Sequence, residues 1–291
     1  MPDFFEEVDS TGVIEDHIQK VLALEESESK KVLRAYRQIR GDLRDRLATT
    51  RKGSFTAQQL RGTLAQVEAA ITAMNASISG EMEDAASTMA ILGVKNLTKE
   101  MSRFDKKFLG AVVPINLDAV QIAADANALL INRMDSSLES YGQGVRTQIA
   151  QGLTNAIIAG NLSTDEVMSK VGDYFLGEEW KLSRIVRTEL HNVYNTGKLT
   201  GMQETQENYI PDLQKTLMHP MDARTGADSV YAARLKLIVD IDEEFSYTWK
   251  GKVRTFMVPP DRPNDRSILV PFRASWGAGR AGFVPPSTKP A

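Results

Sequence analysis

The residues best suited to chemistry lie in one short segment near residue 190. In an enzymatic interpretation, Glu189 would act as the acid or base and His191 as a proton relay, with Arg224 from a later segment as an anion clamp. On a helix, positions two apart point about 200° away from each other, so Arg187, Glu189 and His191 cannot all face one substrate. The alternative is structural: Arg187 and Glu189 form ion pairs that tie this helix to the Asp222-Ala223-Arg224 loop. The helical geometry favours the structural alternative.

The composition excludes several other kinds of site. The chain has 291 residues and no cysteine, which excludes disulfides, thiolate nucleophiles, iron–sulfur clusters and cysteine-ligated zinc. Its three histidines, His17, His191 and His219, are far apart in sequence, and Gly142-Gln143-Gly144 lacks the lysine of a phosphate-binding loop. We therefore expect no metal and no cofactor. With 35 Lys and Arg against 38 Asp and Glu, the net charge of −3 disfavours a protein that coats nucleic acid along its whole length.

The elements that must position these residues are helical in the first half of the chain. Apolar residues recur every three or four positions from about residue 20 to 140, which is typical of helices with narrow apolar seams. Three seams follow this spacing: Val32, Tyr36, Ile39, Leu43 and Leu47; Leu60, Leu64, Val67, Ile71, Met74, Ile78, Met82, Ala85, Met89 and Leu92; and Leu117, Val120, Ala124, Asn127, Ile131, Met134 and Leu138. The sequence predicts an elongated, mainly helical arm or bundle over residues 1–140, whose seams pair either within the chain or between copies of it.

The second half of the chain predicts a small α+β domain over residues 141–276. Gly142 and Gly144 are expected to interrupt the helices, and a further helix is expected over residues 180–206. Turn residues multiply after residue 207 and separate four predicted strands, at 235–239, 245–249, 252–258 and 268–272. The chain ends in an extended, Pro- and Gly-rich tail, 277–291, suited to lying along a partner. The predicted fold class is therefore α+β.

Charge is unevenly distributed at the start of the chain. Residues 1–29 hold nine acids and one base, whereas residues 30–52 hold nine bases and two acids. The basic stretch is either a contact surface for packaged DNA or an acidic protein, or a solvated helix face neutralised by nearby acids. Its candidate contact residues are Lys30, Lys31, Arg34, Arg37, Arg40 and Arg44.

Three segments resemble a known family. They are residues 184–197, residues 219–226, and the stretch from Pro259-Pro260 to Pro271. Their order is similar to that of the Mu F-like phage head morphogenesis family, which has an RTE helix, then a D-x-R segment, then a proline-rich segment with a cysteine pair. The family-motif positions matched here are Arg184, Arg187, Thr188, Glu189, His191, Asp222, Arg224, Asn264 and Arg266.

The chain departs from the family pattern where that pattern suggests a metal. Asp265 and Ser267 stand where the resemblance would place the two cysteines, and Ser229 stands where it would place a histidine. Aspartate and serine cannot supply thiolates, so we expect no structural zinc here. Packing and hydrogen bonds must hold this part of the fold instead.

The resemblance implies a minor head protein of a phage virion, bound at the portal vertex and acting in head assembly, genome packaging or DNA ejection. The implied partners are the portal protein and packaged DNA, with self-association through the helical seams as a further alternative. Two other functions stay open: an enzyme injected with the genome (a nuclease, or an ADP-ribosyl or nucleotidyl transferase), and a portal-ring adaptor. No apolar run is long enough to cross a bilayer, and the acidic start is the reverse of a secretion signal, so we expect assembly in the host cytoplasm without membrane insertion.

Overall fold

The computed structural model describes residues 4–9, 11–48, 57–158, 164–220, 222, 225–263 and 265–278. Within them, long helices are followed by short strands, which confirms the α+β class. The helices are α1 (Phe4–Asp9), α2 (Val13–Ala48), α3 (Ala57–Leu109), α4 (Ala119–Ile158), α5 (Thr164–Asn208), α6 (Ala227–Leu235) and α7 (Ala274–Ala278). The strands are β1 (Leu213–Met218), β2 (Ile238–Asp240), β3 (Phe245–Trp249), β4 (Lys252–Phe256) and β5 (Ile268–Arg273). Most of the predicted tail, 279–291, lies outside this description.

The chain divides into two compact units, each assembled from segments that are far apart in sequence. Unit 1 comprises Met1–Glu26, Ala85–Leu130 and Thr188–Ala291, and unit 2 comprises Ser27–Asp84 and Ile131–Arg187. Each of the four long helices, α2 to α5, contributes one segment to each unit. The sequence predicts that residues 1–140 and residues 141–276 are domains that each fold by themselves. This division into domains stays a prediction.

The core of unit 2 contains the central part of the longest predicted seam. From Val67 to Met82, the seam residues of α3 are at most 1% exposed, which confirms the helical periodicity there. Because these side chains are covered within a single chain, their burial favours the intramolecular bundle over pairing between copies. The predicted interruption at Gly142 and Gly144 is wrong, since α4 continues through both. A Cβ at Gly142 would lie 2.6 Å from the Asn75 amide nitrogen, so the glycine permits close helix packing instead of ending a helix.

The predicted third seam is wrong in its first turns. It placed Leu117, Val120 and Ala124 on the buried face, but Val120 is 69% exposed and Ala124 is also exposed. Helix α4 begins only at Ala119. Asp118 caps it by accepting hydrogen bonds from the backbone N–H groups of Val120 and Gln121. A seam counted from Leu117 starts in the preceding loop and therefore has the wrong phase. The buried positions at this end of α4 are Ile122, Ala123, Ala126 and Leu130.

The strands of unit 1 form a three-stranded antiparallel sheet, in the order β2-β1-β5, and a separate hairpin of β3 and β4. The hairpin turns at Lys250 and Gly251, whose φ angles of 48° and 76° match a two-residue turn with both residues in the left-handed region. The predicted strands at 245–249 and 268–272 are confirmed. The predicted strand at 235–239 is partly wrong, because α6 extends to Leu235 and β2 begins only at Ile238. Strand β1, the centre of the sheet, was not predicted at all.

An aromatic cluster closes one end of unit 1. The rings of Phe4, Phe104 and Phe108 pack against Trp276, which is 2% exposed, and Phe272 packs against Phe4. The Trp276 indole N–H donates to the buried carboxylate of Asp105 at 2.9 Å. A buried tryptophan needs such a partner for its single polar group, so Asp105 fixes α7 against α3.

In unit 1, helices α3 and α5 pack so closely that their backbones lie against each other. A Cβ at Gly197 would lie 2.7 Å from the Ala90 carbonyl oxygen, and a Cβ at Gly93 would lie 2.4 Å from the Tyr194 carbonyl oxygen. Both distances are shorter than real Cβ contacts, and the obstructing atoms belong to backbone that cannot move aside easily. Glycine at these two positions is therefore required for the two helices to pack as they do.

Gly197→Ala should lower the free energy of unfolding by about 1–3 kcal/mol, because the added methyl group overpacks a backbone contact. Urea denaturation measures this change. The matched control is Gly80→Ala, at an exposed helical position with no atom within 4 Å of the new Cβ. The control should be neutral or stabilise the protein by up to about 1 kcal/mol, since alanine favours a helix. Equal effects of the two substitutions would contradict the tight crossing.

Candidate functional site

The last part of α5 is buried on every side although it carries polar residues. All ten residues from Leu190 to Leu199 are buried. Five of them are polar or charged: His191, Asn192, Asn195, Thr196 and Lys198. Buried polar groups need hydrogen-bond partners, and for His191, Asn195 and Lys198 these partners come from other segments of unit 1. The RTE-like helix is thus a central support of unit 1.

One group of these contacts, here called the Ser267 network, contains Glu25, His191, Asn195, His219, Asp265 and Ser267. The Ser267 carbonyl oxygen accepts hydrogen bonds from His191 Nε2 at 2.7 Å and from Asn195 Nδ2 at 3.2 Å. Asn195 Oδ1 in turn accepts from the Leu269 backbone N–H at 2.8 Å. Helix α5 therefore holds the start of β5 through the amide nitrogen and oxygen of Asn195 and through the imidazole of His191.

The His191 ring is held between two acceptors. Its Nδ1 lies 2.5 Å from Glu25 Oε1, and its Nε2 faces the Ser267 carbonyl oxygen. A carboxylate and a carbonyl only accept, so both ring nitrogens must carry hydrogen for both bonds to form. Burial acts to lower the pKa of His191, but the Glu25 carboxylate and the Ser267 carbonyl outweigh it and raise that pKa. His191 is therefore a buried cation with no nitrogen left to relay a proton.

The Ser267 hydroxyl joins Asp265 to His219. It donates to Asp265 Oδ1 at 2.5 Å and lies 2.5 Å from His219 Nδ1. Since the hydroxyl has one hydrogen and gives it to the carboxylate, His219 Nδ1 must be the donor in the second bond. Burial lowers the pKa of His219, which keeps the ring neutral, and its Nε2 is buried without a hydrogen-bond partner in the described structure. A histidine that donates to a serine oxygen cannot take its proton, so this arrangement does not activate a nucleophile.

Hydrogen bonds thus occupy the place where the family resemblance suggested a metal. Asp265 and Ser267, at the positions of the cysteine pair, bind each other, and Ser267 also binds His219. Ser229, at the expected histidine position, accepts a hydrogen bond from Arg262 at 2.6 Å. Among the described residues, no group of three or more His, Cys, Asp or Glu side chains is arranged to hold a metal ion.

The D-x-R segment is joined to the proline-rich segment by an ion pair that the sequence did not predict. Both oxygens of Asp222 accept hydrogen bonds from the Arg266 guanidinium, at 2.6 and 2.8 Å. The expected partner from the RTE segment was Arg187, which is exposed, while Glu189 is buried. The actual ties between the RTE helix and the proline-rich segment start from His191 and Asn195, one and two turns further along the chain than Arg187.

Two further motif residues, Arg184 and Thr188, lie earlier in α5. Arg184 lies with its guanidinium 4.9 Å from the centre of the Trp180 ring, and Thr188 is half-buried. Arg224 and Asn264 lie outside the described residues. The enzymatic combination of Glu189, His191 and Arg224 therefore has one member that is not described and one, His191, whose ring nitrogens are both engaged.

Sequence reasoning missed a second buried cluster in unit 1. Lys198 Nζ lies 2.7 Å from both carboxylate oxygens of Glu100, and His17 Nδ1 lies 2.8 Å from Glu100 Oε1. Burial lowers the pKa of Lys198, against the attraction of Glu100. The available signal was the position of Glu100 on the apolar face of α3, between Leu97 and Phe104. An acid in an apolar stripe indicates a partner inside the core.

The basic stretch of α2 is partly neutralised in unit 2. Lys31 Nζ lies 2.8 Å from Glu28, and Glu179 binds Arg37 and lies 3.7 Å from Arg40 Nη1. Lys30 and Arg34 are exposed, and the Arg44 side chain lies outside the described structure. At least three of the six candidate contact residues, Lys31, Arg37 and Arg40, thus have carboxylate partners, as the neutralised-face alternative requires. These partners are Glu28, from the acidic residues 1–29, and Glu179 of α5.

No protein-family model matches the chain, and neither a curated protein nor a solved structure shows significant similarity to it. In the part of the chain that the structure describes, no helix combines the length and apolar character needed to span a membrane. The interpretation of the site therefore depends on its own geometry.

Lys198→Met should lower the free energy of unfolding by about 3–5 kcal/mol, because it leaves the Glu100 carboxylate buried without its main cation. Denaturant unfolding measures the loss. The double variant Lys198→Met/Glu100→Leu should recover part of it, and Lys95→Met, on an exposed part of the same helix α3, should change little. Losses that simply add in the double variant would contradict a coupled buried pair.

The stability that His191 contributes should depend on pH. Its pKa is raised in the folded protein, so its contribution should be fully present below about pH 6.5 and be lost as the pH rises through the folded pKa. The measured quantity is the difference in unfolding free energy between the original chain and His191→Gln, which should be larger at acidic than at alkaline pH.

His219 provides a control of opposite sign. Its folded pKa is lowered, so the corresponding difference for His219→Gln should shrink as the pH falls through about 6.5. If both differences changed in the same direction, the assignment of a cationic His191 and a neutral His219 would be wrong.

Proposed function

We propose that this chain is a structural component of a phage virion: a minor head protein of the Mu F-like type, bound at the portal vertex and acting in head assembly, genome packaging or DNA ejection. The virion would be assembled in the host cytoplasm, with the portal protein as the main partner. The proposal combines the order of the sequence motifs with one observation from the structure.

That observation is the convergence of the three motif segments in unit 1. His191 and Asn195 of the RTE helix bind the Ser267 carbonyl, and Arg266 of the same loop binds Asp222 of the D-x-R segment. Segments separated by tens of residues have no local reason to meet, so their contact supports treating them as parts of one motif.

The chemistry of these residues supports a structural role over an enzymatic one. Five of the six residues of the Ser267 network are buried, and His219 is half-buried. The His191 cation is bound at both nitrogens, and the Ser267 hydroxyl donates to a carboxylate. Such a network fixes loops in one conformation. A body kept rigid in this way suits a component that must present a constant surface during assembly.

The test is copurification of the full chain with a portal protein from the same genome. Co-expression, affinity capture through a tag on either protein, and native mass spectrometry should give a complex of fixed subunit ratio, with fewer copies of this chain than of the portal. A ring adaptor would instead match the portal's symmetry.

The control is a chain with Arg266→Gln, which removes the Asp222 ion pair at a half-buried position. If the loop around Arg266 contacts the portal, this variant should bind the portal more weakly. Its circular dichroism spectrum should remain that of a folded protein. A folded original chain that captures no portal at any ratio would sink the proposal.

A further inference from the structure

A row of cations on α3 lies apart from the basic stretch recognised in the sequence. Lys95, Lys99, Arg103 and Lys106 are spaced by four, four and three residues, which places them on one face of the helix. All four side chains are exposed. In the described part of the chain, none of them forms a salt bridge within 4 Å, although Lys107, on a different face, pairs with Glu7.

Three of these cations line an open groove in unit 1, about 590 Å³ in volume. Lys99, Arg103 and Lys106 form one wall, and the first turns of α2, including Asp16, form the other. The Asp16 carboxylate is bound by Lys20 one turn along α2, and this hydrogen bond lowers its pKa. The only carboxylate on the described lining is thus already paired, and the groove retains an excess of positive charge.

The polar groups of the groove suit phosphate oxygens. The Ser102 hydroxyl makes no hydrogen bond to any described residue and is free to donate, whereas the Thr98 hydroxyl already donates to the Val94 carbonyl. The guanidinium of Arg103 offers a planar fork of donors that matches two phosphate oxygens. His17 is already hydrogen-bonded to Glu100, so it contributes only to the wall of the groove.

The length of the row favours a polymer over a single phosphate. From Lys95 to Lys106, eleven residues at about 1.5 Å each give a charged edge of about 16 Å. At about 3.4 Å of rise per phosphate on one strand, that edge spans about five phosphates. No Phe, Tyr or Trp lies on the described lining of the groove, so nothing there offers a platform on which a base could stack.

We propose that this groove of α2 and α3 binds the sugar–phosphate backbone of nucleic acid, without selecting bases. The inference does not rest on the proposed function. It assigns nucleic-acid contact to cations without salt bridges, and not to the basic stretch of α2, where Lys31, Arg37 and Arg40 have carboxylate partners.

The experiment measures binding of the full chain to a short fluorescein-labelled DNA duplex by anisotropy, at salt concentrations from about 50 to 200 mM. The test variant carries Lys99→Gln, Arg103→Gln and Lys106→Gln. At low salt it should bind at least about tenfold more weakly, and the slope of log K against log salt should fall in magnitude by about 3, or about 0.9 for each lost contact. Because the three side chains are exposed, its melting temperature should stay close to that of the original chain.

The matched control variant carries Lys31→Gln, Arg37→Gln and Arg40→Gln, which remove the same charge from cations of α2 that have carboxylate partners, and should leave the slope unchanged. Duplexes of unrelated sequence should bind equally, and polyglutamate at equal charge should compete poorly. The inference is overturned if the original chain binds no DNA at low salt, if the control variant loses as much slope as the test variant, or if polyglutamate competes as well as DNA.

Discussion

The burial of α5 between Leu190 and Leu199 imposes a strict condition on unit 1, because half of these ten residues are polar or charged. A buried cation or amide without a partner costs several kcal/mol, which is comparable to the whole stability of a domain. Glu25, Glu100 and the start of β5 must therefore all be in place for α5 to be buried. The glycine contacts at Gly93 and Gly197 bring the helices close enough for this to happen.

In the Ser267 network, hydrogen bonds hold together segments that a bound metal ion could otherwise join. A metal would join its ligands through one ion, whereas here a carbonyl, a hydroxyl and a carboxylate within three residues bind two histidines and one asparagine. The two histidines are held in opposite charge states, because His191 faces acceptors only and His219 faces a hydroxyl. Burial lowers the pKa of His219, whereas at His191 the Glu25 carboxylate and the Ser267 carbonyl outweigh burial and raise the pKa.

The two basic surfaces of the chain differ in what lies beside them. On α2, Glu28 lies against Lys31, and Glu179 lies against Arg37 and Arg40, so that the charges of these three cations are satisfied internally. On α3, the row from Lys95 to Lys106 faces solvent, and its last three cations line a groove where the one acid among the described lining residues is paired with Lys20. A count of charges along the sequence makes the α2 stretch the more prominent, yet the field available to a partner depends on which charges remain without counter-ions.

Local periodicity and turn chemistry determined much of this fold. The spacing from Val67 to Met82 predicted a buried helical face, and turn residues separated the predicted strands at 245–249 and 252–258, because both features depend only on neighbours in the chain. The lack of cysteine also excluded thiolate chemistry. Long-range pairing was beyond such reasoning. The tertiary structure alone brought Glu100 to Lys198, His191 to Glu25 and Asp222 to Arg266. It also made Gly142 a packing position and not a helix end, because a buried side chain's partner is set by which segments meet in space.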